Sequence, residues 1–164
     1  MENENLLLLI SEIKDSLNVL KNIHNIYVSY IPTFKDESKR DLRDAVLLAD
    51  IMCNTYTCVE TILFRISRVF ENHLSADQWH KELLRKMTLE ISGIRQAVLS
   101  HKSYQLLDEL RRFRHFKRYY YDFEYDWLKL DYLKAIYEKL IPLIEQELNN
   151  YIDFLSRLAN INNL

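Results

Sequence analysis

Turn-forming residues are almost missing from this chain, which has one Gly and two Pro in 164 residues. β-Hairpins need residues that accept positive φ, so an antiparallel sheet would lack its turn chemistry and the chain is expected to be nearly all helix. Cysteine is as scarce. Cys53 and Cys58 are the two present, and in a helical pattern their spacing puts them on different faces, without the further Cys or His neighbours of a zinc site. Both read as buried thiols in a reducing cytoplasm, with no metal or cofactor implied. Neither sign of charge dominates: 22 Lys and Arg stand against 24 Asp and Glu, for a formal net charge of -2. The molecule as a whole is therefore no polyanion binder, and any attraction to phosphate must be local. Long apolar runs are missing too. The "LLLLI" near the N-terminus is five residues long and is followed at once by Ser11, Glu12, Lys14 and Asp15, so it reads as neither a signal peptide nor a membrane span.

What is present is helical periodicity. A chain of this length that is 48% hydrophobic can bury one full core, and residues 1–164 are read as one domain. Leu6, Leu9, Ile10, Ile13, Leu17, Leu20, Ile23 and Ile26 recur at steps of three and four, predicting a first long helix that ends before Pro32. After the charged connection "TFKDESKRD", Leu42, Val46, Leu47, Ile51, Thr55, Cys58, Val59, Ile62, Ile66 and Val69 predict a second long helix that stops near "NHLSAD". Ser75 or Asp77 is a candidate cap for a short third helix, "QWHKELLRKM". "ISGIRQAVLSHK", which holds the only Gly, reads as a connector. Ser103 or a neighbour would cap a fourth helix, and a fifth would run from about Trp127 toward Leu158, with Pro142 kinking or breaking it.

The fourth helix carries "LRRFRHFKRYYYDFEYDW", residues 110–127, in which five basic side chains and a His fall among aromatics. Helical geometry lays Arg114, Arg118, Tyr121 and Tyr125 along one stripe, with Arg111, His115 and Tyr119 on the next. Arg114 and Arg118 are spaced to grip one phosphate beside Tyr rings that can stack. Arg112 and Lys117 read as solvated, and Phe113, Phe116 and Tyr120 as core, with the remaining charges pairing with Asp108, Asp122 or Glu124. Glu60, inside the apolar stretch of the second helix, either faces Arg114 or Arg118 across the bundle or lies at the surface. Trp79 and His80 read as a packing corner with one satisfied ring nitrogen.

"YTCVETILFRISRVFENHLSADQWHKELLRKM" and "LLDELRRFRHFKRYYYDFEYDWLKL" together resemble HEPN-domain proteins of the HepT-like group. These are prokaryotic ribonuclease toxins encoded beside a minimal nucleotidyltransferase antitoxin. The resemblance covers roughly residues 56–126 and implies an all-α, single HEPN-like helical bundle of about five helices that dimerises through its motif-bearing helices. The group's signature is Arg, four to six residues, then His, with a Tyr two positions later. Here the Arg is Arg114 and the Tyr is Tyr121, while the His position is occupied by Tyr119.

RNA cleavage without metal needs a group that takes a proton from a 2'-hydroxyl and cations that stabilise charge gathering on phosphate. His suits the first task and Arg the second. A phenol, with an ordinary pKa near ~10, is a poor base at neutral pH. Tyr119 therefore predicts weak or absent cleavage, with His115, one turn before it, as the candidate substitute. The resemblance assigns Arg114 and the Tyr119 position to catalysis, and implies Tyr121 for AMP transfer by the nucleotidyltransferase; Arg118 and Arg111, on the two cationic stripes of the helix, are the candidate RNA-binding residues. It implies a cytoplasmic homodimer whose partners are that antitoxin and RNA, with no cofactor and no membrane. The other reading is a catalytically silent HEPN module that keeps dimerisation and RNA or partner binding.

Overall fold

The computed structural model describes residues 3–70, 79–119 and 124–161, with the side chains of Trp79, Tyr119 and Ile161 left aside. Among the described residues the chain forms five α-helices and no strand: α1 (Asn3–Lys35), α2 (Leu42–Phe70), α3 (Trp79–Lys86), α4 (His101–Tyr119) and α5 (Trp127–Ile161). The fold is an all-α, HEPN-like bundle. Helix α2 packs against each of the other four, so its buried face is the axis of the core. Its length and composition would suffice to cross a membrane, yet most of that apolar stretch is buried inside the bundle.

Helix α1 does not stop before Pro32. It continues to Lys35 with Pro32 inside its last turn. The proline withholds a donor from the Val28 carbonyl, but Val28 and Pro32 are both exposed, so water can satisfy that group. What holds the turn is Phe34, fully buried against Tyr27 with ring centroids 6.0 Å apart. The core stripe of α1 accordingly passes through Tyr27 and Phe34, and Ile26 is exposed. Arg40, in the following loop, donates to the Phe34 carbonyl at 3.4 Å, pairs with Asp131 of α5 at 2.9 Å and lies over the Trp127 ring at 4.2 Å. One guanidinium thus ends α1 and ties it to the start of α5.

Side chains begin three of the helices. Asp41 caps α2, accepting from the Arg43 and Asp44 amides, while Asp44 accepts from the Asp41 amide at 2.8 Å, a reciprocal capping box. Ser100, the neighbour of the first turn of α4, accepts from the Ser103 amide at 3.1 Å, so Ser100 is the cap and Ser103 lies inside the turn. Asp126 accepts from the Leu128 amide at 2.9 Å and opens α5. Helix α5 runs through Pro142, which is exposed, to Ile161. The candidate caps Ser75 and Asp77 lie outside the described residues.

The connector between α3 and α4 is closed by a buried cation. Gly93 supplies the positive φ of 73° at its turn. The Arg95 guanidinium, almost wholly buried, donates to the carbonyls of Lys86, Leu89 and Gln96. It therefore neutralises the carbonyl-rich C-terminus of α3. The Met87 carbonyl receives the Val98 and Leu99 amides and sets where α4 starts.

Candidate functional site

The site is assembled around a carboxylate in the bundle wall. Glu60 lies four residues after Tyr56 on α2, on the face that is otherwise apolar, and its side chain is only 6% exposed. A buried carboxylate is costly unless several donors reach it. Three do. The Tyr56 hydroxyl donates to Oε1 at 2.7 Å, the His80 ring bonds the same oxygen through Nδ1, and Arg114 donates through Nη1 to Oε2 at 3.3 Å. The Arg114 guanidinium also lies over the Tyr56 ring, 5.5 Å from its centroid. Burial first, and the Glu60 carboxylate second, push the Tyr56 phenol far above its ordinary range, so it stays neutral and donates.

Three helices therefore meet at one group: α2 supplies Tyr56 and Glu60, α3 supplies His80 and α4 supplies Arg114. Glu60 is the buried partner of Arg114 rather than a surface residue. His80 has a ring nitrogen satisfied, as a packing corner requires, and its partner is that same carboxylate. Both His80 and Arg114 reach solvent, at 37% and 21% side-chain exposure.

The other cations of α4 are largely matched locally. Arg111 and Arg112 share the buried Asp108, at 2.7 and 2.8 Å. Lys117, expected to be solvated, is instead half-buried and held by Asp50 of α2 at 2.9 Å. Arg118 and His115 are exposed. Phe113 is core as expected, but Phe116 is 49% exposed.

The proposed stripe does not continue to Tyr125. Helix α4 ends at Tyr119, and Tyr125 lies in the non-helical residues 124–126 ahead of α5. There it lines a groove of about 490 Å³ with Phe113, Phe116 and Leu130, rimmed by Arg112 and Lys129. Tyr119 is the last residue of α4 and its side chain is not described. Tyr120, Tyr121 and Asp122 lie outside the described residues.

Neither thiol belongs to this chemistry. Cys53 is buried and Cys58 is half-buried rather than buried as expected. Burial pushes the Cys53 thiol up to about 11 and raises Cys58 as well, which keeps both protonated at neutral pH. Among the described residues no three His, Cys, Asp or Glu side chains gather as a metal site would need.

A family model described as "HepT-like protein" matches residues 47–155, well over half of the chain. The chain belongs to the HepT-like family. The matched span of this HepT-like protein takes in nearly all of α2, the whole of α3 and α4 and most of α5, and so every residue of the Tyr56, Glu60, His80 and Arg114 cluster. No curated protein and no solved structure matches the chain.

Proposed function

We propose that this HepT-like protein is the toxin of a prokaryotic toxin-antitoxin pair. It would be a HEPN-type, metal-independent endoribonuclease, cytoplasmic and homodimeric, inhibited by a cognate minimal nucleotidyltransferase that transfers AMP to Tyr121. Family membership supports the toxin-type reading. The observation that carries the chemistry is Arg114, held by a buried carboxylate while still reaching solvent. A guanidinium fixed in this way meets a phosphate without first losing its rotamer freedom. In this reading Arg114 stabilises the charge that gathers on phosphate during cleavage, Arg118 and Arg111 help to bind the RNA backbone, and Tyr119 at the motif's His position keeps the rate low. Adding a nucleotide at Tyr121 would add bulk and negative charge to the motif, the same sign of charge as the RNA phosphate that these cations would bind.

Tyr119 also favours a second reading, a silent HEPN module that binds RNA or a partner without cutting. The two part on one experiment: cleavage of a labelled RNA in the presence of EDTA by the unmodified chain, Tyr119→His, and Tyr119→His with Arg114→Ala. The toxin reading expects weak cleavage by the unmodified chain, a gain on the order of 10²-fold or more in Tyr119→His, as a positioned acid–base group contributes, and loss of that gain when Arg114 is removed. RNA binding without cleavage in both the unmodified chain and Tyr119→His would establish the silent module.

A further inference from the structure

We infer that His80 is the general base of this site, and that Glu60 is the residue that positions it against Arg114. The inference rests on the ribonuclease reading above and names the group that performs its proton transfer. The basis is a shared carboxylate. Glu60 accepts Arg114 on Oε2 and His80 Nδ1 on Oε1, so the imidazole and the guanidinium are held on the two oxygens of one side chain although they come from different helices. That carboxylate is nearly sealed from water, while both groups it holds reach solvent. A site that pairs a cation for phosphate with a group able to take a proton from a hydroxyl needs this juxtaposition.

The hydrogen bond also bears on the tautomer of the ring. A ring that donates from Nδ1 to a carboxylate carries its basic lone pair at Nε2, on the far side of the ring. The carboxylate then stabilises the imidazolium formed when the ring takes a proton, the role a buried acid plays beside a catalytic histidine elsewhere. Tyr56, neutral, donates to the same oxygen of Glu60 as His80 engages. His80 and His115 are thereby separated. His115 sits on the exposed face of α4, whereas His80 is tied to the group that orients Arg114.

In the step itself, the 2'-hydroxyl of the substrate gives its proton to Nε2 of His80 as the 2'-oxygen bonds to phosphorus. The bond from phosphorus to the 5'-oxygen breaks, leaving a 2',3'-cyclic phosphate, and the departing oxygen is protonated by water. His80 returns its proton to solvent, so the protein is unchanged and no oxidant or metal takes part.

The test uses the whole chain and a labelled RNA in EDTA, comparing the unmodified protein with His80→Gln, His80→Ala, His115→Ala and Tyr119→His. His80→Gln can still donate an N–H to Glu60 but cannot take a proton, so it separates the chemical role from the structural one. Far-UV circular dichroism and a urea midpoint establish that each variant is folded. The inference expects the weak cleavage of the unmodified chain to fall on the order of 10²-fold or more in His80→Gln, carried by kcat rather than KM, and to recover partly in His80→Ala when imidazole is added. Cleavage unaltered in His80→Gln, or lost in His115→Ala instead, overturns the role of His80 and leaves the ribonuclease reading standing. So does an unmodified chain with no activity beside an active Tyr119→His. Absence of cleavage from every one of these proteins overturns the ribonuclease reading and this inference with it.

Discussion

Arg114 and Arg118 are one helical turn apart, carry the same charge and have opposite surroundings. Arg114 is one of three donors to a carboxylate that the bundle has removed from water. Arg118 is exposed near the end of α4. Removing a donor from a buried charged acceptor costs about 1.5–3 kcal/mol, and a surface substitution typically falls within about 0.5 kcal/mol of zero. Arg114→Ala is therefore expected to lower the unfolding free energy by about 2 kcal/mol, near the lower half of that range because Tyr56 and His80 still reach Glu60. Arg118→Ala is expected to leave it within about 0.5 kcal/mol. Urea denaturation followed by circular dichroism measures both, and equal effects would show that Glu60 does not depend on Arg114. Arg114 was visible in the sequence as the Arg of a motif, and Glu60 as an acid among apolar residues. Their partners were visible only in part. Tyr56 and Glu60 stand at helical spacing on α2, but that His80 reaches the same carboxylate depends on how α3 docks, which no local spacing encodes.

Helices show the same division between local signals and tertiary ones. The order, number and approximate limits of α1 to α5 follow from periodicity and from the scarcity of Gly and Pro. The errors have two sources, a packing contact that overrides a local rule and a local signal that was passed over. Pro32 predicts an end to α1, and burial of Phe34 carries the helix past it. The stripe from Arg114 to Tyr125 assumes one continuous helix, and the chain instead leaves helical geometry before a new cap at Asp126. Caps are the most local of these signals and the most directly testable. The Ser100 hydroxyl accepts from the Ser103 amide at 3.1 Å and donates to the Ser103 hydroxyl at 3.2 Å. Ser100→Ala is expected to cost about 1 kcal/mol, the usual value of an N-cap, and Ser100→Asp to recover it. Stability is measured by urea, and RNA cleavage measured in parallel shows whether loosening the start of α4 reaches Arg114.

At the scale of the molecule, the near-neutral chain and its locally matched cations pose one problem for a phosphate-binding role. Asp108, Asp50 and Glu60 each hold part of the positive charge of α4, so one copy offers a modest field. Two copies related by a two-fold axis along α4 would bring both sets of Arg111, Arg114 and Arg118 to one cleft without changing the charge per chain. The surface suits burial there as well. Phe116 is 49% exposed on α4, and the groove beside it is floored by Phe113, Tyr125 and Leu130 and rimmed by Arg112, Lys129, Glu109 and Asp126. An apolar floor with a mixed-charge rim is the usual anatomy of a contact between folded proteins. The expectation is a solution mass twice that of one chain at micromolar concentration, measured by light scattering. Phe116→Asp should convert it to a monomer that keeps its helical circular dichroism, since Phe116 contributes far less to the core than Phe113. The monomer should also bind RNA more weakly and with a shallower dependence on salt, because fewer phosphates are then contacted per complex. A monomeric mass for the unmodified protein, or a dimer undisturbed by Phe116→Asp, would place the cleft elsewhere or remove it, and the cations of α4 would then have to act from a single chain.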